Sequence, residues 1–92
     1  MKYKYRDESE LLKAVAHPMR LKIIELLLLE LPIEGCSVNA IQKKLTIPQS
    51  TISQHLQTLR NKGIIDGSKT GVEVCYKVTD KRIAKIMQIL KK

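Results

Sequence analysis

The strongest constraint on this chain is a change of hydrophobic period just after Gly63. Before it, Ile52, Leu56 and Leu59 recur at helical spacing. After it, Val72, Val74, Tyr76 and Val78 alternate with Glu73, Cys75 and Lys77. The first pattern is the buried stripe of a helix; the second is a strand with one buried and one wet face. The apolar pair Ile64-Ile65 opens an earlier run, and Thr70-Gly71 separates the two. The region therefore predicts a β-hairpin of Ile64–Lys69 and Val72–Val78 joined directly to a helix. A lone hairpin is marginal in water, so helices must cover it.

Those helices can be placed from their end signals. Asp7 is a candidate cap for a first helix, with Glu8 and Glu10 in the turn where the helix dipole favours acids. Leu11, Leu12 and Val15 form its apolar face. His17-Pro18 ends it, because a residue before proline avoids the helical region, and Pro18 suits the first position of a second helix. There Leu21, Ile24, Leu28 and Leu31 share a stripe that Ile23, Leu26, Leu27 and Leu29 widen. A helix apolar on most sides is buried on most sides, so this one is central and is expected to touch a second subunit as well. Pro32 and Gly35 stop it. Cys36-Ser37-Val38 is extended, and Ser37 caps a short third helix carrying Ala40, Ile41 and Leu45. Ile47-Pro48 closes a tight turn. A fourth helix runs from Gln49 to Lys62 and stops at Gly63. Asp80 caps a last helix whose Ile83, Ile86, Met87 and Leu90 repeat on one side. The fold class is mainly α with a β-hairpin wing: a winged helix-turn-helix, α-α-α-α-β-β-α, as one domain over 1–92. Residues 1–6 read as a mobile basic arm.

Charge narrows the partner. Seventeen basic and nine acidic residues leave a net +8 on 92 residues, which favours a polyanion. The chain has no Trp or Phe and only three Tyr, too few rings to stack single-stranded bases. No nucleophile–base pair, glycine-rich phosphate loop or HExxH spacing appears, so neither enzymatic activity nor a cofactor is expected. The longest apolar run, Leu26–Leu29, is far short of a membrane span, and the N-terminus has no apolar leader. The chain reads as cytoplasmic, without a membrane partner, and with Cys36 and Cys75 as reduced thiols.

The fourth helix indicates which polyanion. Stepping about 100° per residue from Ile52, Leu56 and Leu59 fall beside it. Ser50, Gln54, Gln57 and Asn61 fall opposite, flanked by Ser53. That face is uncharged in a basic protein, whereas a merely solvated face usually carries Lys and Glu. Amides and hydroxyls are the groups that pair with base edges in a major groove. Lys43, Lys44, Arg60, Lys62 and Lys69 lie around it, where phosphates would be. The partner expected is double-stranded DNA. The alternative is a winged module that binds protein or RNA, for which an uncharged reading face has no use.

Three runs, LLKAVAHPMRLKIIELL, IPQSTISQHLQTLRNKGII and GVEVCYKV, resemble the ArsR/SmtB family of bacterial winged-helix repressors over nearly the whole chain. The resemblance implies a homodimer that leaves its operator on sensing a signal. It puts base contacts at Gln49, Ser50, Ser53 and Gln54, the wing tip at Ser68–Gly71, and the dimer surface on the first and last helices: Leu11, Leu12, Val15, Ile83, Ile86, Met87 and Leu90. The family's metal sites do not carry over. One uses cysteines at the start of the third helix, where this chain has Ser37 and Asn39, with Cys36 one residue early. Another uses Asp and His pairs on the last helix, which here offers Asp80 and no His. His17 and His55 lie elsewhere, each alone, and His55 reads as packed or phosphate-bonded. No metal site is expected. A metal-responsive repressor with a non-standard site over Cys36, Cys75 and Asp80 stays an alternative. In winged folds the segment holding Cys36 can pair with the strand holding Cys75, so the two are candidates for a redox pair. The plainer reading is two small apolar fillers.

Overall fold

In the computed structural model, which describes residues 3–30 and 37–91, α1 spans Arg6–Val15. Tyr5 occupies the cap position in the left-handed region, with φ 67° and no side-chain cap. The expected cap, Asp7, lies instead inside the first turn beside Glu8, where both still face the positive end of the helix. Arg6 thus belongs to the helix and not to an arm. α2 spans Pro18–Glu25, and His17 caps it by accepting the Met19 N–H on Nδ1 at 3.0 Å. The helix then widens into a π-helical segment, Leu26–Glu30. The stops expected at Pro32 and Gly35 lie outside the described residues.

α3 spans Val38–Leu45; Ser37 Oγ accepts the Ala40 N–H at 3.2 Å, and Thr46 ends the helix at φ 57°. α4 follows at Gln49–Asn61 after the Ile47-Pro48 turn, and Gly63 at φ 72° turns the chain out of it. β1 (Ile65–Thr70) pairs antiparallel with β2 (Glu73–Val78), Ile65 opposite Val78 and Thr70 opposite Glu73. α5 spans Lys81–Leu90 and is capped by Asp80, which accepts the N–H groups of Arg82 and Ile83.

The hairpin is displaced by one residue from the sequence reading. Its loop is Gly71-Val72, not Thr70-Gly71. Gly71 has φ 66°, the positive value that the first position of a two-residue hairpin loop requires. Val72 therefore sits at the tip, 97% exposed, rather than on the buried face. Gly67 has a different reason: a Cβ there would lie 2.7 Å from Val74 and 3.0 Å from the Tyr76 ring, so a side chain at this position would have to displace them.

The central helix feeds the core from two sides through Ile23, Ile24 and Leu26. Ile41 of α3, the Ile52–Leu56–Leu59 stripe of α4, Ile64 and Ile65, Leu11 and Val15 of α1, and Ile83 and Met87 of α5 close around it. α4 packs on α3, α2 and β1. The base of the wing is tied to the end of α4, because Thr79 donates from its N–H to Ile64 O at 2.9 Å and from Oγ1 to Gly63 O at 3.2 Å. These ties give the wing and α4 one common frame.

Candidate nucleic-acid interface

Burial of Ile52, Leu56 and Leu59 sets the rotation of α4. The opposite face, Gln49, Ser50, Ser53, Gln54, Gln57 and Asn61, is exposed. Gln57 Nε2 donates to Asn61 Oδ1 at 2.8 Å, which holds that carboxamide along the helix. Among the described residues the side chains of Gln49, Ser50, Ser53 and Gln54 have no hydrogen-bond partner, so their donors and acceptors face solvent. Lys43 and Lys44 in the last turn of α3, Arg60 and Lys62 at the end of α4, and Lys69 on β1 are all exposed. The ion pairs of the described residues, Lys13–Glu10, Lys22–Glu25 and Arg82–Asp80, include none of these cations. The arrangement is an uncharged hydrogen-bonding strip with positive charge at both ends and on the wing.

On its flank, α4 carries His55, half-buried. His55 Nδ1 accepts from Arg20 Nε at 3.1 Å, and the His17 ring lies with its centroid 4.6 Å away. Burial, then the neighbouring His17 and Arg20, holds the His55 imidazole below its ordinary pKa. The two histidines, each alone in the sequence reading, form one cluster with Arg20. Residues from two helices meet there through the crossing of α2 and α4, which spacing along the chain does not reveal.

Other expected sites are placed as follows. Of the dimer-surface residues, Leu11, Val15, Ile83 and Met87 are buried in the chain's own core, and Ile86 is half-buried. Leu12 is 47% exposed, Leu90 59% and Ile89, which the sequence reading missed, 66%. Of the apolar faces that periodicity singles out, Leu12 and Leu90 thus stay open to solvent, and Ile89 adds to them on α5. Asp80 is engaged by its cap bonds and by Arg82 Nη2 at 2.9 Å, and Arg82 holds its carboxyl below the usual range. Among the described residues no group of three or more His, Cys, Asp or Glu side chains can hold a metal ion. Cys75 is disulfide-bonded, not the free thiol expected of it. Cys36 lies outside the described residues. No described helix is long and apolar enough to cross a membrane.

A family described as a helix-turn-helix domain matches residues 15–67, from the end of α1 into the wing. Transcriptional repressor PagR of Bacillus anthracis is 38% identical over 84 residues, covering 91% of this chain and 81% of that protein. HTH-type transcriptional repressor SmtB of Mycobacterium tuberculosis is 36% identical over 79 residues; the match covers 86% of this chain and 56% of that longer protein. Among solved structures, the PagR repressor superposes with a TM-score of 0.77 over 91% of this chain and 92% of its own at 38% identity. HlyU from Vibrio cholerae superposes with a TM-score of 0.81 over 98% and 94% at 28% identity.

Proposed function

We propose, from the premise that this chain belongs to the ArsR/SmtB family of winged helix-turn-helix transcriptional repressors, that α4 reads a palindromic operator in the major groove and that the protein acts as a homodimer. The chain is a DNA-binding transcriptional regulator. The observation that carries the assignment of the reading face is the exposed amide and hydroxyl strip of α4, in which Gln49, Ser50, Ser53 and Gln54 have no hydrogen-bond partner among the described residues, in a chain of net charge +8. Gln54 is the residue suited to a bidentate contact with adenine, Gln49, Ser50, Ser53 and Gln57 to single contacts, and Lys43, Lys44, Arg60 and Lys69 to phosphates. Leu12, Ile89 and Leu90, with an apolar hollow on α1 lined by Tyr5, Leu12 and Ala16, support a two-fold interface. Such an interface sets two reading helices about 34–36 Å apart, one turn of DNA. The unit acts as a single winged domain in the cytoplasm, where the chromosome is.

The test separates base contacts from phosphate contacts. Gln54→Ala is expected to lose about 1–3 kcal/mol of discrimination per half-site. Lys69→Ala is expected to weaken binding to every sequence and to flatten its salt dependence. Equal effects of both substitutions on selected and random duplexes would show that α4 does not read bases and would favour a protein or RNA partner.

A thiol signal is the second reading, favoured by the disulfide state of Cys75 on the wing. Operator affinity of the wild type is expected to differ between oxidised and reduced protein, and Cys75→Ser is expected to abolish the difference. Equal wild-type affinity in both states makes the bond purely structural.

A further inference from the structure

Arg20 stands where three helices meet. From the first turn of α2 its Nε donates to His55 Nδ1 on α4 at 3.1 Å, and its Nη1 donates to Ala14 O near the end of α1 at 3.1 Å. Both bonds leave one planar guanidinium, whose rigid fork fixes the two acceptors relative to each other. His17 closes the cluster: its ring lies beside that of His55, and its own Nδ1 is occupied by the Met19 N–H. α1 carries Leu12 on its open apolar surface, and α4 carries the exposed amides. The Arg20 bridge ties one to the other.

The bridge depends on a proton being absent. An imidazole nitrogen accepts only while it is unprotonated. A proton on His55 Nδ1 would set a donor against a donor and place a second cation beside the guanidinium. The charged or titratable groups that face His55 are Arg20 and His17, both from the start of α2. Among the described residues no hydrogen bond or ion pair brings a charged group of α1, α3 or β1 to it.

We propose that Arg20 is a positioning residue for DNA recognition: through neutral His55 it fixes the angle of α4 against α1, and protonation of His55 releases that angle. The proposal rests on the reading of α4 as the DNA-reading helix. In a dimer held by α1 and α5, the angle between α1 and α4 sets the relation of the two reading helices. Sequence-specific binding needs that relation; random DNA responds mainly to charge. Acidification therefore acts with opposite signs on the two. If His55 were only a phosphate contact, its added charge would strengthen both.

The experiment uses a duplex selected by the wild-type protein from a randomised pool, with a random-sequence duplex as control. Affinities are measured at constant salt near pH 7.5 and near pH 5, the acid point set well below the ordinary imidazole value of about 6.5 because burial lowers that of His55. Arg20→Gln is expected to bind the selected duplex about 10- to 100-fold more weakly near pH 7.5, the size of a lost hydrogen bond to a charged group, with little change on the random duplex. Arg20→Lys is expected not to restore it, because one ammonium cannot span both acceptors. The wild type is expected to lose about 10-fold on the selected duplex on acidification, while the random duplex binds as well or better. His55→Asn keeps an acceptor near the Nδ1 position without a titrating group, and the ratio of its affinities at the two pH values is expected to be flat. A folded Arg20→Gln protein, with wild-type unfolding temperature and wild-type affinity for the selected duplex, overturns the proposal. So does a wild type whose affinities for both duplexes rise together in acid. If Arg20→Gln does not fold, the comparison of wild type with His55→Asn decides alone. A selection that enriches no duplex overturns the reading of α4 itself, and the bridge with it.

Discussion

Asp80 holds the junction of wing and last helix through one carboxylate. It accepts the N–H groups of Arg82 and Ile83 at 2.8 and 3.2 Å and takes the Arg82 guanidinium at 2.9 Å. The hydrogen bond from Arg82 and those from the backbone keep its pKa low. His55 is shifted in the same direction by burial first. Both shifts mean that the unfolded chain binds protons more readily than the folded one, so both make stability fall on acidification. The His55 contribution is lost first, as pH drops below about 6.5, and that of Asp80 later, as pH passes below about 4. The unfolding temperature is therefore expected to fall in two steps. Asp80→Ala should remove the lower step and lower stability by about 1 kcal/mol at neutral pH, the typical value of an N-cap. His55→Asn should remove the upper one. A single acid transition untouched by either substitution, followed by circular dichroism across pH, would contradict this. The caps at Asp80 and Ser37 were legible because a cap acts within a single turn. Asp7 misled because it lies two residues past Tyr5, where the chain enters α1.

The elements follow the signals at their ends more closely than the signals in their middles. Pro18 opens α2 and Gly63 closes α4, each for a reason carried by its own backbone. The wing shows the limit of alternation. Counted by period alone, Val72 is the first buried residue of a strand, yet Gly71 is the residue with a positive φ and the pairing closes at Thr70 and Glu73. A two-residue loop then leaves Val72 in solvent, because the geometry of a loop outranks the hydrophobicity of one residue in it. The run of leucines from Leu26 likewise gives no hint of its π-helical form. A continuous apolar stretch is compatible with either helical pitch, and this one packs against α2 and β2.

At the scale of the whole molecule, the proposed homodimer has exposed apolar side chains for a second copy to cover. Leu12, Ile89 and Leu90 are exposed, while Ile83 and Met87 are inside. Leu12→Asp combined with Leu90→Asp is therefore expected to give a folded monomer at micromolar concentration with weakened operator binding, because the half-sites are then bound separately. Ile83→Asp is expected to unfold the chain, since it buries an unpaired charge. Light scattering checks the first and circular dichroism the second. A wild type that is monomeric at the same concentration would refute the dimer.

Much of this protein is determined by the sequence alone: the order of helices and hairpin, the caps at Ser37 and Asp80, and the amide face of α4. These rest on interactions that close within a turn or a hairpin, so spacing along the chain encodes them directly. Tertiary structure alone decided that Leu11 and Met87 face inward while Leu12 and Ile89 face out, and that His17, Arg20 and His55 meet. An apolar stripe says that a helix must be covered, not whether its own core or another surface covers it. That choice, like the meeting of distant polar side chains, depends on the angles at which helices cross, and those angles are set by how all the core side chains pack together.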